Sequence, residues 1–304
     1  MVAAPVSGET LRLAHAGEGS LDVLWGSLTL LTYAYAVPTP RHESPKPYLH
    51  PIRTLAGDVV TGFRPKDHVW HKGIQMTAPN LSGQNFWGGG SYVHGSGYVD
   101  LPNNGTMEHV EWEQLEEGDG GVRLVERLTW RTAEDEPWID ERRSVEVGAV
   151  DSDAGCYRVS FGFRLRSLAA HDLVFSSPAI EGRAEAGYGG LFWRGPDSFV
   201  DGRVMVAGGV EGSDAMGARA PWLAFTGRHE NGRASTLVFV DDEASARHPI
   251  PWFVRGVPIA CVSFAFAFSE RLTLAPGEEV ALLHHLVVAT GELDRADVER
   301  LLAG

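Results

Sequence analysis

A strict alternation of apolar and polar side chains over residues 156–168 is the pattern that most limits the fold of this chain. Every second residue is large and apolar: Tyr157, Val159, Phe161, Phe163 and Leu165. The residues between them are arginine, serine or glycine. Because successive side chains of a β-strand point to opposite faces, this segment has one face for a core and one for solvent. The sequence therefore predicts a long amphipathic strand in a sheet that packs against another apolar layer.

Similar short runs of β-branched and aromatic residues recur along the 304-residue chain, separated by 36 glycines and 17 prolines. This composition is typical of many strands joined by turns. Residues 280–289 are apolar on both faces except at His284 and His285, which predicts a central strand between two layers. Strands are predicted at residues 10–16, 21–25, 28–36, 108–115, 122–131, 138–147, 156–168, 222–226, 235–240, 259–268 and 279–290.

One helix is predicted, at the C-terminal end of the chain. Asp294 can cap it and Gly304 can end it, while Val298, Leu301 and Leu302 form its apolar face. No linker-like segment or internal repeat divides the sequence. We therefore predict a single all-β domain over residues 1–304, a large antiparallel β-sandwich with a short C-terminal helix.

Charge and composition exclude several classes of partner. The formal net charge of −14 would repel nucleic acid and anionic membrane surfaces. Residues 1–20 lack the basic and apolar regions of a secretory signal, and no apolar run approaches the roughly 20 residues that span a bilayer. The two cysteines, Cys156 and Cys261, lie in apolar runs and are predicted to be buried free thiols. We expect a cytoplasmic protein, and a homo-oligomer is compatible with the sequence.

Five of the twelve histidines fall between residues 42 and 94. The densest part is the sequence DHVWHKG at residues 67–73, which mixes charged, aromatic and glycine residues without a secondary-structure period. Such a mixture is typical of a polar ligand site. Aromatic residues nearby offer flat apolar faces, and polar residues offer directed hydrogen bonds, which together suit a sugar-like ligand.

This histidine segment has three interpretations. In the first, His68 and His71 transfer protons and Asp67 orients one imidazole. In the second, His50, His68 and His71 bind a divalent metal ion. In the third, the segment recognises a ligand without catalysis or forms a structural hydrogen-bond network.

Two carboxylates lie on apolar faces of predicted strands. Glu126 occupies the middle of the apolar face of residues 122–130, and Glu141 lies with Arg143 on the apolar face of the next strand. An unpaired carboxylate in a core is costly. Either these residues form a buried Glu–Arg pair that fixes strand register, or Glu126 or Glu141 lines a polar cleft and takes part in acid–base chemistry.

Several motifs resemble those of a bacterial domain family labelled PmoA-like, in the same order from about residue 20 to 290. They are PYLHP at 47–51, DHVWHKG at 67–73, NFWG at 85–88, YGGL at 188–191 with Arg194, and HPIPWF at 248–253 with Arg255. The label derives from a membrane-embedded methane oxygenase, whereas this chain has no membrane-spanning run. The resemblance implies a large β-sandwich protein of sugar metabolism. The fold analogy is a galactose-mutarotase-like supersandwich, which has a cleft lined by His, Arg and Glu.

The sequence and the resemblance together predict a carbohydrate-active enzyme that uses acid–base chemistry on a sugar or keto-sugar derivative. The reaction could be epimerisation, elimination or hydrolysis. The alternatives are a divalent-metal-dependent enzyme and a non-catalytic carbohydrate-binding protein. Catalytic candidates are Asp67, His68, His71 and Glu126, and substrate-binding candidates are Tyr48, His50, Lys72, Asn85, Trp87, Arg194, His248 and Arg255. No cofactor other than the possible metal ion is expected.

Overall fold

Twenty-one strands, three short 3-10 turns and one α-helix make up the part of the chain that the computed structural model describes, residues 10–303. The 3-10 turns span Arg41–Glu43, Asp197–Phe199 and Gly212–Ala215. The strands are β1 (Leu11–Gly17), β2 (Ser20–Trp25), β3 (Leu28–Ala34), β4 (Tyr48–Ile52), β5 (Ile74–Thr77), β6 (Asn80–Leu81), β7 (Ser91–Val93), β8 (Gly97–Val99), β9 (Thr106–Gly118), β10 (Gly121–Arg131), β11 (Pro137–Asp151), β12 (Cys156–Ser167), β13 (Leu173–Ser176), β14 (Gly190–Arg194), β15 (Arg203–Val206), β16 (Trp222–Arg228), β17 (Ala234–Asp241), β18 (Trp252–Arg255), β19 (Cys261–Phe264), β20 (Leu272–Leu274) and β21 (Glu279–Thr290), and the helix is α1 (Arg295–Ala303).

Two eight-stranded antiparallel sheets dominate the fold. The first sheet has the strand order β1-β2-β3-β4-β5-β14-β19-β18, and the second has the order β15-β16-β17-β21-β12-β11-β10-β9. Two smaller sheets, β20-β13-β6 and β7-β8, lie in the connections. The predicted all-β antiparallel sandwich with a short C-terminal helix is confirmed. The assignment of the whole chain to one domain stays a prediction.

The main core lies between the inner faces of the two large sheets. Along β12 the five predicted apolar residues all point into it, whereas Arg158, Arg164 and Arg166 are exposed on the other face. Aromatic rings from opposite sheets meet there: Trp193 of β14 lies 5.5 Å from Phe239 of β17 between ring centroids. The alternation in the sequence therefore separates this core from the outer face of the second sheet.

Strand β21 is central in the second sheet, as predicted, because it pairs with both β12 and β17. Its inward side chains join the main core, and its outward Val287 and Ala289 pack in a smaller cluster with α1 and Cys156. Both cysteines are buried free thiols, as predicted.

The C-terminal helix begins as its capping residues predict. Asp294 accepts a hydrogen bond from the Asp297 amide at 2.9 Å, and Asp297 accepts one from the Asp294 amide at 3.1 Å. Its predicted apolar face, including the fully buried Val298, covers the outer cluster. The predicted end at Gly304 lies outside the described residues, as do residues 1–9. No helix within residues 10–303 is long and apolar enough to cross a membrane.

Short strands of the first sheet divide their side chains between the core and the outer face. On β14, Leu191 and Trp193 join the main core, whereas Phe192 packs on the outer face with Phe253 of β18 and Cys261 of β19. The sequence prediction missed most of the short strands, namely β4, β5, β6, β7, β8, β13, β14, β15, β18 and β20. All five residues of β14 are buried, and Phe192 on its outer face is as apolar as Leu191 and Trp193 on its inner face, so no apolar–polar alternation marks the strand.

A buried polar network crosses between the two sheets at the other end of the sandwich. Glu141 accepts two hydrogen bonds from Arg143, at 2.6 and 3.0 Å, and one from the Trp130 indole at 2.5 Å. The Arg143 guanidinium also donates to the Tyr33 hydroxyl at 3.3 Å, and Tyr33 donates to Glu126. Because Glu141 and Arg143 belong to the same strand, their pair does not fix register between strands. The other residues of the network belong to the second sheet, and Tyr33 of β3 links them to the first sheet.

We predict that Glu141→Gln lowers the free energy of unfolding by about 3 kcal/mol, because it leaves the buried Arg143 guanidinium without its counter-charge. Equilibrium urea denaturation measures this change. The matched control is Glu146→Gln on the same strand, whose half-exposed pair with Arg123 contributes less than about 1 kcal/mol. Equal effects of the two substitutions would contradict this account of the buried network.

Candidate functional site

A cavity of about 330 Å³ lies on the outer face of the first sheet, on the side away from the main core. Its floor is formed by outward side chains of β14, β18 and β19, namely Phe192, Phe253 and Cys261. This volume is within the range of about 300–1,000 Å³ that is typical of small-molecule sites. The walls come from Arg255 at the end of β18, from Tyr98 of β8 and from irregular segments that contribute Asp67, His68, Trp70, His71, Trp87, Arg183, Tyr188 and Ile259.

His68 and Asp67 form a hydrogen-bonded pair on one wall of the cavity. The His68 Nδ1 atom lies 2.7 Å from Asp67 Oδ2. Partial burial acts to raise the pKa of Asp67, but the hydrogen bond from His68, a backbone hydrogen bond and the nearby Arg194 together outweigh it, so this pKa lies below its usual value. An ionised carboxylate can only accept a hydrogen bond, which means that Nδ1 carries the proton. In neutral His68 the lone pair is therefore on Nε2.

His71 lies beside His68 and is held in the opposite tautomer. The two imidazole rings stack with centroids 4.7 Å apart and an interplanar angle of 18°. The Arg194 Nη1 atom lies 3.4 Å from His71 Nδ1, and a guanidinium can only donate. Nδ1 of His71 is therefore the acceptor, and its proton is on Nε2. That atom is buried and has no hydrogen-bond partner among residues 10–303.

The surroundings of His71 keep its imidazole neutral. Only 2% of the residue is exposed, and its ring contacts Phe192 and Trp87 with centroids 4.7 and 5.2 Å away. Burial is the main cause that lowers the pKa of His71 well below its usual value, and the neighbouring His68 and Arg194 lower it further. His71 thus presents a fixed N–H donor rather than a titrating acid.

The second half of the chain contributes a cationic side to the cavity. Arg183 donates to the Tyr98 hydroxyl, which lies 2.7 Å from the Tyr188 hydroxyl. The Arg255 guanidinium lies 5.5 Å from the centroid of the Phe253 ring, and its one hydrogen bond, at 3.4 Å, goes to the carbonyl of Glu185. Asp67 is the one carboxylate among the residues that line the cavity.

The glycines that follow Trp87 make room for another wall residue. A Cβ on Gly89 would lie 2.5 Å from the Trp70 ring, and one on Gly88 would lie 2.6 Å from the Trp70 Cβ. Both glycines have positive φ angles, of 65° and 112°. The Trp70 side chain therefore occupies the space that a side chain on either glycine would need.

Asn85 positions Trp87 instead of lining the cavity. Its side-chain oxygen accepts hydrogen bonds from the amides of Trp87 and Gly88, at 2.8 and 2.9 Å. The Lys46 ammonium donates to the Trp87 carbonyl at 3.0 Å. The Asn85 side chain is buried, so its predicted contact with substrate is replaced by a supporting role.

Three predicted substrate-binding residues lie in a neighbouring cluster and do not line the cavity. His50 stacks on Phe63 at 4.7 Å, and Tyr48 contacts the same ring at 5.6 Å. Lys72 forms a buried ion pair with Glu43 at 2.7 Å. The backbones of Lys72 and Phe63 form an isolated antiparallel β-bridge, so the segment is extended at this point. Neighbouring side chains of an extended segment point to opposite sides, and His71 therefore faces the cavity while Lys72 does not.

His248 and Glu126 are also placed elsewhere. His248 lies 3.0 Å from the buried Asp241, which is also 3.1 Å from His284. Glu126 lies between the two sheets, where it accepts from Tyr33 and pairs with His109 at 2.6 Å. The structure therefore does not bring these two residues, or Glu141, to the histidine pair.

The proposed metal ligands do not converge. His50 is separated from the His68–His71 stack by its position in the Phe63 cluster. No group of three or more His, Cys, Asp or Glu side chains in the described range 10–303 is arranged to hold a metal ion.

The cavity therefore unites five of the predicted residues from distant parts of the chain, Asp67, His68, His71, Trp87 and Arg255, with Arg194 behind His71. Sequence reasoning missed Tyr98, Arg183 and Ile259 as site residues. Arg183 and Ile259 lie in irregular connections and Tyr98 lies on the three-residue strand β8, where no periodic pattern marks a side chain that faces a ligand.

Comparison with known proteins places the chain in a family. A model described as a family of unknown function, DUF6807, matches residues 20–303. The chain belongs to this family. The DUF6807 match does not confirm the PmoA-like relationship that the sequence motifs predict.

Two further comparisons add little to the DUF6807 assignment. A crystal structure of Slr1438 protein from Synechocystis sp. PCC 6803 is similar over 95% of this chain and 100% of that chain, at 11% identity and a TM-score of 0.37. This likeness is too distant to support an inference. No curated protein matches the chain.

We predict that His50→Gln reduces the dependence of stability on pH. Burial is the main cause that lowers the pKa of His50 to about 4. Between about pH 6.5, where an unfolded histidine titrates, and about pH 4, the unfolded chain binds more protons, so stability falls as the pH falls. Urea denaturation across this window should give a shallower slope for His50→Gln than for the native chain.

The matched control is His15→Gln, since His15 is exposed on β1. His71, His229 and His284 also have lowered pKa values, so the stability of both variants should still depend in part on pH in this window. An unchanged slope in His50→Gln would contradict the partly buried, neutral state of this imidazole.

Proposed function

We propose that this protein is a carbohydrate-active enzyme that transfers a proton to or from a sugar or keto-sugar derivative. The observation that carries this proposal is the pair of stacked imidazoles in opposite tautomers at the wall of one cavity. Such a pair offers a base and a hydrogen-bond donor to the same ligand.

The two histidines would have different roles. His68, oriented by Asp67, has its Nε2 lone pair free to accept a proton from substrate. His71, oriented by Arg194, would donate its Nε2–H to a substrate oxygen and stabilise negative charge that develops there. A neutral imidazole suits this second role because its low pKa keeps it from protonating.

The composition of the walls supports a sugar as the ligand. Trp70, Trp87 and Phe192 present aromatic surface, whereas Tyr98 and Arg255 present polar groups around it. A sugar has apolar C–H faces and hydroxyl edges that fit this division. The PmoA-like resemblance and the galactose-mutarotase analogy agree with a role in sugar metabolism, and they remain part of this proposal.

The two alternatives find less support. The metal-dependent enzyme requires His50, which packs on Phe63 outside the cavity. A binding protein without catalysis requires neither the Asp67–His68 pair nor the buried tautomer of His71. The specific arrangement of these groups favours catalysis.

We predict that His68→Gln reduces turnover at least about 100-fold, since it removes the general base. A panel of sugars and keto-sugars in D₂O, followed by proton NMR, reports the reaction directly. Loss of a C–H signal indicates proton exchange or epimerisation, new alkene signals indicate elimination, and altered anomeric signals indicate hydrolysis or mutarotation.

The free energy of unfolding of His68→Gln should change by less than about 1 kcal/mol, because His68 is partly exposed. The control His15→Gln should retain full turnover. Turnover that survives in His68→Gln would contradict the proposed role, and saturable sugar binding without any turnover in the native protein would favour the binding-protein alternative.

A further inference from the structure

We infer that the ligand of this cavity is an acidic sugar whose carboxylate or phosphate is bound by Arg183 and Arg255. This inference rests on the proposed function for the sugar part of the ligand. It adds that the ligand carries an oxyanion and that the second half of the chain supplies the site for it.

The first observation is that these two guanidinium groups lack a counter-charge. Most arginines of this acidic protein pair with Asp or Glu within 4.0 Å, for example Arg164 with Glu279 and Arg271 with Glu181. Arg183 and Arg255 form no such pair with any residue of the described chain. Their hydrogen bonds go instead to a tyrosine hydroxyl and to a backbone carbonyl.

The second observation is that both groups line the same cavity. Two like charges on the wall of a cavity of about 330 Å³ repel each other, and the apolar floor beneath them strengthens this repulsion. An anion that enters between them removes the repulsion. Guanidinium groups also match the geometry of carboxylate and phosphate oxygens through two parallel hydrogen bonds.

The third observation is the position of the carboxylate of Asp67. It is already bound to His68, so it does not neutralise the two arginines. The cavity therefore has an anion-binding side, formed by Arg183, Arg255 and the Tyr98 hydroxyl, beside the imidazoles where the chemistry is proposed. This arrangement would orient the sugar by its acidic group and present its carbon skeleton to His68 and His71.

Isothermal titration calorimetry on the full chain tests this inference with matched ligands. The ligands are glucose, galactose and mannose, the uronate of each, and the 6-phosphate of each. We expect at least one acidic sugar to bind at least about tenfold more tightly than its neutral partner, the gain expected from one charge-assisted hydrogen-bonded pair. The uronate and phosphate arms distinguish the two oxyanions.

Variants locate the binding site. Arg255→Gln, and separately Arg183→Gln, should reduce the preference for the acidic sugar over its neutral partner at least about tenfold. The control is Arg166→Gln, which removes an equally unpaired but exposed charge on β12, on the outer face of the other sheet. This control should bind every ligand as the native protein does.

The inference is overturned if no acidic sugar binds more tightly than its neutral partner, or if both arginine variants keep the native affinity. Turnover of neutral sugars alone would overturn it while retaining the proposed function. A preference for acidic sugars that disappears in Arg255→Gln, without any turnover, would support the anion site and contradict the proposed enzyme activity.

Discussion

The alternation of side chains across the first sheet couples the stability of this protein to its candidate site. On β14, Trp193 points into the main core, where it packs against Phe239, and the adjacent Arg194 points to the outer face beneath His71. A one-residue shift of this strand would exchange the two faces and place a guanidinium in the core. Packing of the core therefore fixes the position of Arg194, and Arg194 in turn fixes the tautomer of His71.

The electrostatics of the site differ from those of the whole molecule. The chain has a formal net charge of −14, yet the residues that line the cavity include two unpaired arginines and two histidines beside one carboxylate. The overall field would repel an anion at long range, whereas the local groups attract it at short range. Selectivity for an acidic ligand would then depend on direct contact rather than on steering from a distance.

The sequence predicted much of this fold because long amphipathic strands carry a strong periodic signal. Residues 156–168 and 279–290 lie where expected, as does the helix capped by Asp294. Short strands such as β14 and β18 were missed because each has a large apolar residue, Phe192 or Phe253, on its outer face beneath the cavity as well as apolar residues that face the core. Apolar and polar residues alternate along a strand when one face is buried and the other is exposed. This alternation is lost where both faces of a sheet are covered.

The candidate site could be predicted only in part. The DHVWHKG segment indicated the right residues, and Arg194 and Arg255 join it. Tyr48 and His50 lie on β4 beside Phe63, and Lys72 points to Glu43 on the side of its segment opposite His71; composition does not encode these directions. Glu126 met the expectation of a buried carboxylate, but its partners are Tyr33 and His109 between the sheets. Sequence shows that such a group is unusual, and only the fold shows which space it faces.

The most direct test of this account is the protonation of the two stacked imidazoles, which long-range ¹H–¹⁵N NMR of histidine-labelled protein reports. The signals are assigned by their loss in His68→Gln and in His71→Gln. The account predicts that His71 is neutral at neutral pH with its proton on Nε2, and that neutral His68 carries its proton on Nδ1. A charged His71, or a His71 with its proton on Nδ1, would contradict the claim that Arg194 prepares this residue as a fixed donor.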